Sequence, residues 1–196
     1  MAFNLNHATT SVDTFDQGDD NDTLVFDASN QTQNGDVFDG GTGTDTIVVG
    51  AGVTLSALDL LPGGGFFGYE GLTFNGAGLA VFTGIQFGSG LISNSLHITG
   101  VNGSSQEISV FVVSNFSAAH WTFTDWEPTD HLAIAGGNLG NVLTGSSRDD
   151  TIIGNEGADV LTGGRGRDEL SGGNGNDSFR FVRTTDSLKS SRHRAL

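Results

Sequence analysis

The sequence predicts an all-β chain wound as a solenoid of stacked parallel coils. Three observations carry this. Glycine supplies 31 of 196 residues and proline 2, a balance that fits many tight turns and excludes collagen. The stretch "GNEGADVLTGGRGRDELSGGNGNDSFR" (154–180) places aspartate in every ninth position, at Asp159, Asp168 and Asp177, with Leu161, Leu170 and Phe179 two positions after each. A helix has no such period in side-chain direction, and glycine at this density destabilises one.

Each nonapeptide divides into a turn and a strand. Its last three residues form a very short strand whose middle side chain, Leu161 for example, points to one face while its neighbours point to the other. The first six residues turn the chain, and glycine supplies the positive φ angles and close backbone approach that this needs. Two such units make one coil, and stacked coils give parallel strands. Aspartates of successive coils then lie along one edge about 4.8 Å apart. Two bare carboxylates at that spacing repel by about 1–3 kcal/mol at effective dielectric constants of roughly 80 to 20. A cation between them relieves this. Calcium suits the gap because it is hard, takes about 6–8 oxygens and accepts backbone carbonyls beside carboxylates. The competing reading is a Gly/Asp turn solenoid without metal. Asparagine often serves where only a turn is needed, yet Asp150, Asp159, Asp168 and Asp177 keep aspartate in succession.

Residues 1–48 hold degenerate copies: QGDDNDTLV (17–25), QTQNGDVFD (31–39) and GGTGTDTIV (40–48), with Asp22, Asp36 and Asp45 in the sixth slot. Asp22 and Asp45 are separated by two nonapeptides plus the short insertion FDASN (26–30), so they are expected on one edge. From 49 to 135 the nonapeptide dissolves. Short runs remain at 71–74, 79–82, 96–100, 107–113, 121–126 and 131–137, separated by Gly, Ser and Asn. They predict wider β-helical coils, with a separately inserted sandwich as the alternative. The nonapeptide returns over 136–180 as GGNLGNVLT, GSSRDDTII, GNEGADVLT, GGRGRDELS and GGNGNDSFR. Asn141 replaces the first aspartate and Leu139 a glycine, and Ser146 and Arg148 replace glycines in the second copy. These two turns are expected to bind weakly or to cap the stack. The remainder, 181–196, is a polar basic tail.

GGRGRDELS and GGNGNDSFR resemble the RTX (repeats-in-toxin) nonapeptide G-G-x-G-x-D-x-U-x, where U is a large apolar residue. The resemblance implies a right-handed parallel β-roll or β-helix solenoid, with calcium held between turns one full coil, or two nonapeptides, apart. It pairs Asp150 with Asp168 and Asp159 with Asp177. Carbonyls of Gly157, Gly164, Gly166, Gly173 and Gly175 would complete the shells, with Asn141 at the first turn. Asp22, Asp36 and Asp45, with Gly41 and Gly43, would be the N-terminal counterparts. The resemblance also implies a secreted bacterial protein exported by the type I route without an N-terminal signal peptide. Where the family continues after its last repeat with acidic and aromatic residues, this chain turns basic, as a truncated or rearranged tail would.

Charge and composition narrow the function. All eight Lys and Arg lie at Arg148 or later, so residues 1–147 carry 15 acids and no base. Such a surface repels nucleic acid and anionic membranes and attracts cations. Without cysteine there are no disulfides, thiolate metal sites or cysteine nucleophiles. The N-terminus lacks the basic and apolar regions of a classical signal peptide, and no stretch is long and apolar enough for a membrane span. The expected function is a calcium-binding structural, adhesion or matrix module, with extracellular polysaccharide as a partner class. The enzyme alternative is a polysaccharide lyase or epimerase. It would draw on His120, Asp125, Asp130 and His131, with Trp121 and Trp126 as sugar-stacking rings. It lacks any Lys or Arg before Arg148 to hold an acidic sugar, and Asp130-His131 reads equally as a turn residue beside a strand residue.

Overall fold

The computed structural model describes residues 2–4, 14–29, 31–32, 34–57, 64–181 and 189–191. Most of the basic tail, and Asp59 with the Leu-Pro-Gly segment after it, lie outside the described residues. Strands dominate: β1 (Ala2–Asn4), β2 (Thr14–Asp16), β3 (Thr23–Phe26), β4 (Val37–Asp39), β5 (Asp45–Val49), β6 (Thr54–Ser56), β7 (Gly65–Phe67), β8 (Tyr69–Phe74), β9 (Gly78–Thr83) and β10 (Ile92–Thr99). After them come β11 (Gln106–Phe111), β12 (Phe116–Ser117), β13 (Thr122–Thr124), β14 (His131–Ala135), β15 (Val142–Thr144), β16 (Asp150–Ile153), β17 (Val160–Thr162), β18 (Glu169–Ser171), β19 (Ser178–Arg180) and β20 (Lys189–Ser191). A 3-10 turn spans Gly84–Gln86, and among the described residues no helix is long and apolar enough to cross a membrane. The chain is a parallel β-solenoid that divides into two compact units, residues 1–108 with 122–130 and residues 109–121 with 131–196.

The first unit has wide coils. Its largest sheet runs β1-β3-β5-β8-β10-β13, all parallel. The register column Thr23, Thr46, Gly71, His97, Thr122 shows that each of these coils is longer than two nonapeptides. A second sheet, β2-β4-β7, aligns Phe15, Phe38 and Phe66. The added length of each coil makes room for large side chains. Phe38 and Phe66 stack at 5.2 Å between centroids, and Phe26 meets Phe38 edge-on at 5.6 Å, the offset and T-shaped geometries that aromatic quadrupoles favour. The strands Tyr69–Phe74 and Ile92–Thr99 pair in parallel at coil spacing. Coils longer than two nonapeptides are present before residue 49, since Ala2 pairs with Thr23 and Thr23 with Thr46.

The second unit has narrow coils. Leu143, Leu161 and Phe179 lie in register, as do Ile134, Ile152 and Leu170, so neighbouring strands of each sheet are two nonapeptides apart. One nonapeptide leads from one sheet to the other, and a second returns to the first. Leu143, Ile152, Leu161 and Leu170 are fully buried. Phe179 shares their face but is half-exposed, because β19 is the last described strand of its sheet. One apolar side chain per nonapeptide is a thin core, and the turns must be held by something else.

Candidate metal centre

In the second unit the side chains of Asp159, Asp168 and Asp177 reach back along the edge to the coil before. Asp159 Oδ1 accepts the backbone N–H of Asn141 at 2.7 Å. Asp168 Oδ1 accepts that of Asp150 at 3.1 Å, and Asp177 Oδ1 that of Asp159 at 3.0 Å. Two edges result, Asn141–Asp159–Asp177 and Asp150–Asp168, and each brings together the pair expected from the nonapeptide. Asp150, Asp159 and Asp168 are buried and Asp177 half-buried.

One carboxylate oxygen on the first edge has nothing to bind. Asp159 is 0% exposed, and its Oδ2 is buried and makes no hydrogen bond. A buried, uncompensated charge is costly, and the Asp159 carboxyl lies above the usual carboxylate range, raised by burial and, less, by the nearby Asp177 charge against the opposing effect of the Asn141 N–H. Asp150 is raised further, again by burial first, with the charges of Asp168 and Asp149 adding to it.

Glycines make room for the carboxylates and carbonyls. A Cβ built on Gly154 would overlap Asp159 Oδ2, and one on Gly163 or Gly172 would overlap the carboxylate of Asp168 or Asp177. The second- and fourth-slot glycines have positive φ: +106° at Gly164, +113° at Gly166, +88° at Gly173 and +131° at Gly175. A Cβ at these positions would strike the carbonyl oxygens of Ser146, Arg148, Asn155 and Gly157 respectively, and one on Gly157 the backbone of Leu139 and Gly140. Each turn therefore lies directly over the carbonyls of the turn before it. At Gly164, Gly166, Gly173 and Gly175 the missing side chain is what lets the turns approach this closely.

Asn141 and Ser146 close their own turns. The Asn141 amide donates to the Ser114 carbonyl, and its oxygen accepts the Gly137 N–H at 2.9 Å. Ser146 gives Asp150 both its backbone N–H, at 2.6 Å, and its hydroxyl, at 2.9 Å. Each places hydrogen-bond donors where the regular repeat has bare oxygens.

The first unit repeats the relation on longer coils. Asp45 Oδ1 accepts the Asp22 N–H at 2.7 Å, as the inserted spacing predicted. Asp45 is 0% exposed and its Oδ2 makes no hydrogen bond. Burial, then Glu70 and Asp22, raise its pKa against the opposing effect of the Asp22 N–H. Gly41 lies over the Gly18 carbonyl and Gly43 over the Asp20 carbonyl. Asp36 is buried but stands apart from this edge, leading into β4 in the other sheet.

Among the described residues no three His, Cys, Asp or Glu side chains converge on one point. A cation in these turns draws on carboxylates and main-chain carbonyls, an all-oxygen donor set that suits a hard ion. Orphaned carboxylate oxygens, glycine-lined space and stacked carbonyls together fit calcium.

The residues named for the enzyme alternative have structural roles or stand apart. Asp130 accepts the Gln106 N–H at 3.0 Å and the Glu127 N–H at 2.6 Å, one on each oxygen. Trp121 packs edge-on against Phe116, and Trp126 packs against Phe123 and Phe74; both indoles are buried and offer no sugar-stacking face. His120, Asp125 and His131 are exposed.

Sequence reasoning passed over the first-slot glycines, Ser146 and Glu70. The glycines had a visible signal, since each opens a nonapeptide at a fixed distance before its sixth-slot residue. Glu70 had a weaker one, "GFFGYE" with glycine in the fourth slot and an acid in the sixth.

Residues 32–53, 136–170 and 144–179 match the RTX calcium-binding nonapeptide repeat, in four copies. No curated protein and no solved structure matches the chain.

Proposed function

We propose that this chain, a β-solenoid carrying RTX calcium-binding repeats, is a module whose C-terminal coils fold on binding calcium and which works outside the cell in an adhesive or matrix role. The observation that carries the calcium reading is Asp159 Oδ2, a buried carboxylate oxygen with no hydrogen bond, held against Gly154, whose missing side chain leaves that oxygen room beside the Gly172 carbonyl. Calcium would supply positive charge between the coils and join their oxygens. The residues of the chain do the rest. Asp159 and Asp177 on one edge, and Asp168 on the other, fix their carboxylates through Oδ1 and the N–H of the coil before. The turn glycines let the next coil settle close over the carbonyls.

Extracellular calcium modules bind at about 10⁻⁴–10⁻³ M. Turns of this affinity stay unfilled in a calcium-poor cytosol and fill outside, so binding free energy becomes folding free energy only after export. The low apolar content of 154–180 and the absence of any lysine or arginine before Arg148 agree with this. Hydrogen exchange in chelator and in millimolar calcium tests the reading. Protection of residues 154–180 should rise sharply with calcium and hardly at all with magnesium, which resists irregular carbonyl-rich cages. Equal protection in chelator and calcium would make the metal incidental.

A further inference from the structure

Glu70 stands outside the nonapeptide matches, the N-terminal one ending at residue 53, yet it continues an edge of stacked acids. Asp45 pairs with Tyr69 and Thr46 with Gly71, so Glu70 is an extra residue in β8. A bulge re-aims a side chain. Here it turns Glu70 back to the coil before, where its Oε2 accepts the Asp45 N–H at 2.9 Å. Asp45 holds the same relation to Asp22, and Asp159 to Asn141. Asp45 Oδ2 adds an independent observation, because it is buried in a residue with no exposed surface and has no hydrogen-bond partner. Carbonyls are also present. That of Gly41 lies under Gly68, whose φ is +73° and whose Cβ would come within 2.9 Å of it, and that of Gly18 lies under Gly41.

We propose that Asp45 and Glu70, with main-chain carbonyls of the same turns, form a site for a hard divalent cation of the calcium type, distinct from the nonapeptide turns of 136–180. The site relies on the calcium reading for its ion and not for its residues. A glutamate in place of the usual aspartate adds one methylene of reach, which the longer coil and the bulge accommodate.

Tyr69, the chain's single tyrosine, adjoins this site. It is fully buried, it donates to Gln17 Oε1 at 2.6 Å, and after burial the charge of Asp45 is the leading cause of its raised pKa. Terbium, a luminescent stand-in for calcium, can therefore be read through Tyr69 in the full chain, with Tyr69→Phe subtracting the tryptophan contribution. The wild-type chain should show Tyr69-sensitised emission that calcium displaces. Glu70→Gln should weaken that terbium affinity at least about tenfold, a loss of about 1.4 kcal/mol, while Asp159→Asn leaves it unchanged. The glutamine keeps an oxygen to accept the Asp45 N–H, and circular dichroism checks that the coils persist. An unchanged emission curve in Glu70→Gln overturns the site, as does wild-type emission that calcium cannot displace, emission lost equally in Asp159→Asn, or no Tyr69-sensitised emission at all. If calorimetry finds no calcium binding anywhere in the chain, the functional reading fails with it. If calcium still binds and is lost only in Asp159→Asn, this site alone fails.

Discussion

Asp159 and Asn141 meet across one coil: Asp159 Oδ1 takes the Asn141 N–H at 2.7 Å while Asp159 Oδ2 stays buried without a bond. One carboxylate thus does two jobs, fixing the stack with one oxygen and presenting the other.

Replacing that carboxylate removes both. Asp159→Ala, and Asp168→Ala on the other edge, should lower calcium affinity by at least about tenfold, or roughly 1.4 kcal/mol each. Asp27→Ala, at an exposed aspartate outside the stacked edges, should leave it unchanged. Calorimetric titration of the three variants decides the matter, and equal losses in all three would sink the site assignment.

Gly154 tests the space rather than the charge. Its φ is not positive, so alanine is strained there only by contact with the Asp159 carboxylate and the Gly172 carbonyl. Gly154→Ala should cost about 1–3 kcal/mol, as overpacking does, and weaken calcium binding. Gly103→Ala, in open space, should cost only its backbone strain and leave binding alone. Thermal melts in saturating calcium compare them.

Leu161 is fully buried between Leu143 and Phe179 in register. Leu161→Asp puts a charge where no partner stands and should prevent calcium-dependent folding of 154–180. A circular dichroism spectrum in saturating calcium equal to that of the wild type would show that the register is wrong.

Acid should partly replace calcium. Asp150 and Asp159 have folded, metal-free pKa values above the ordinary 3.8. A group raised on folding contributes its full stability below the unfolded pKa and loses it as pH rises through the folded one. In chelator the second unit should therefore melt higher as pH falls from neutrality toward 3.8. In calcium the trend should reverse, because protons compete with the ion. Melting curves that fall with acid under both conditions would contradict this.

The register of the narrow coils was legible because the nonapeptide spacing repeats without a break from Asp150 to Asp177, and strand alternation then determines which side of Leu161 faces inward. The Asp22–Asp45 edge was legible despite its insertion, since added residues lengthen a coil without moving its sixth slot out of line. Glu70 was hidden because a bulge shifts the register by one residue and Phe66 and Phe67 stand where the turn motif has glycine and threonine. Ser146 read as a lost glycine. Its gain, a hydroxyl bonded to Asp150, exists only once the turn is closed. The tryptophans could serve as core or as surface by composition alone, and only the packing of Phe116 and Phe74 decides for core.

Asn141 and Ser146 should also set where unravelling stops. Their hydrogen bonds in the first narrow coil do not depend on an ion, so on withdrawal of calcium that coil should be the last of the narrow coils to open. Loss should begin at the half-exposed Phe179 and fray inward until it meets these two side chains. What survives is a templated edge of parallel strand, ready to accept the next coil when the ion returns. Removal and re-addition of calcium should then trace nearly the same curve, with little hysteresis, because rewinding extends an existing stack and need not nucleate a new one.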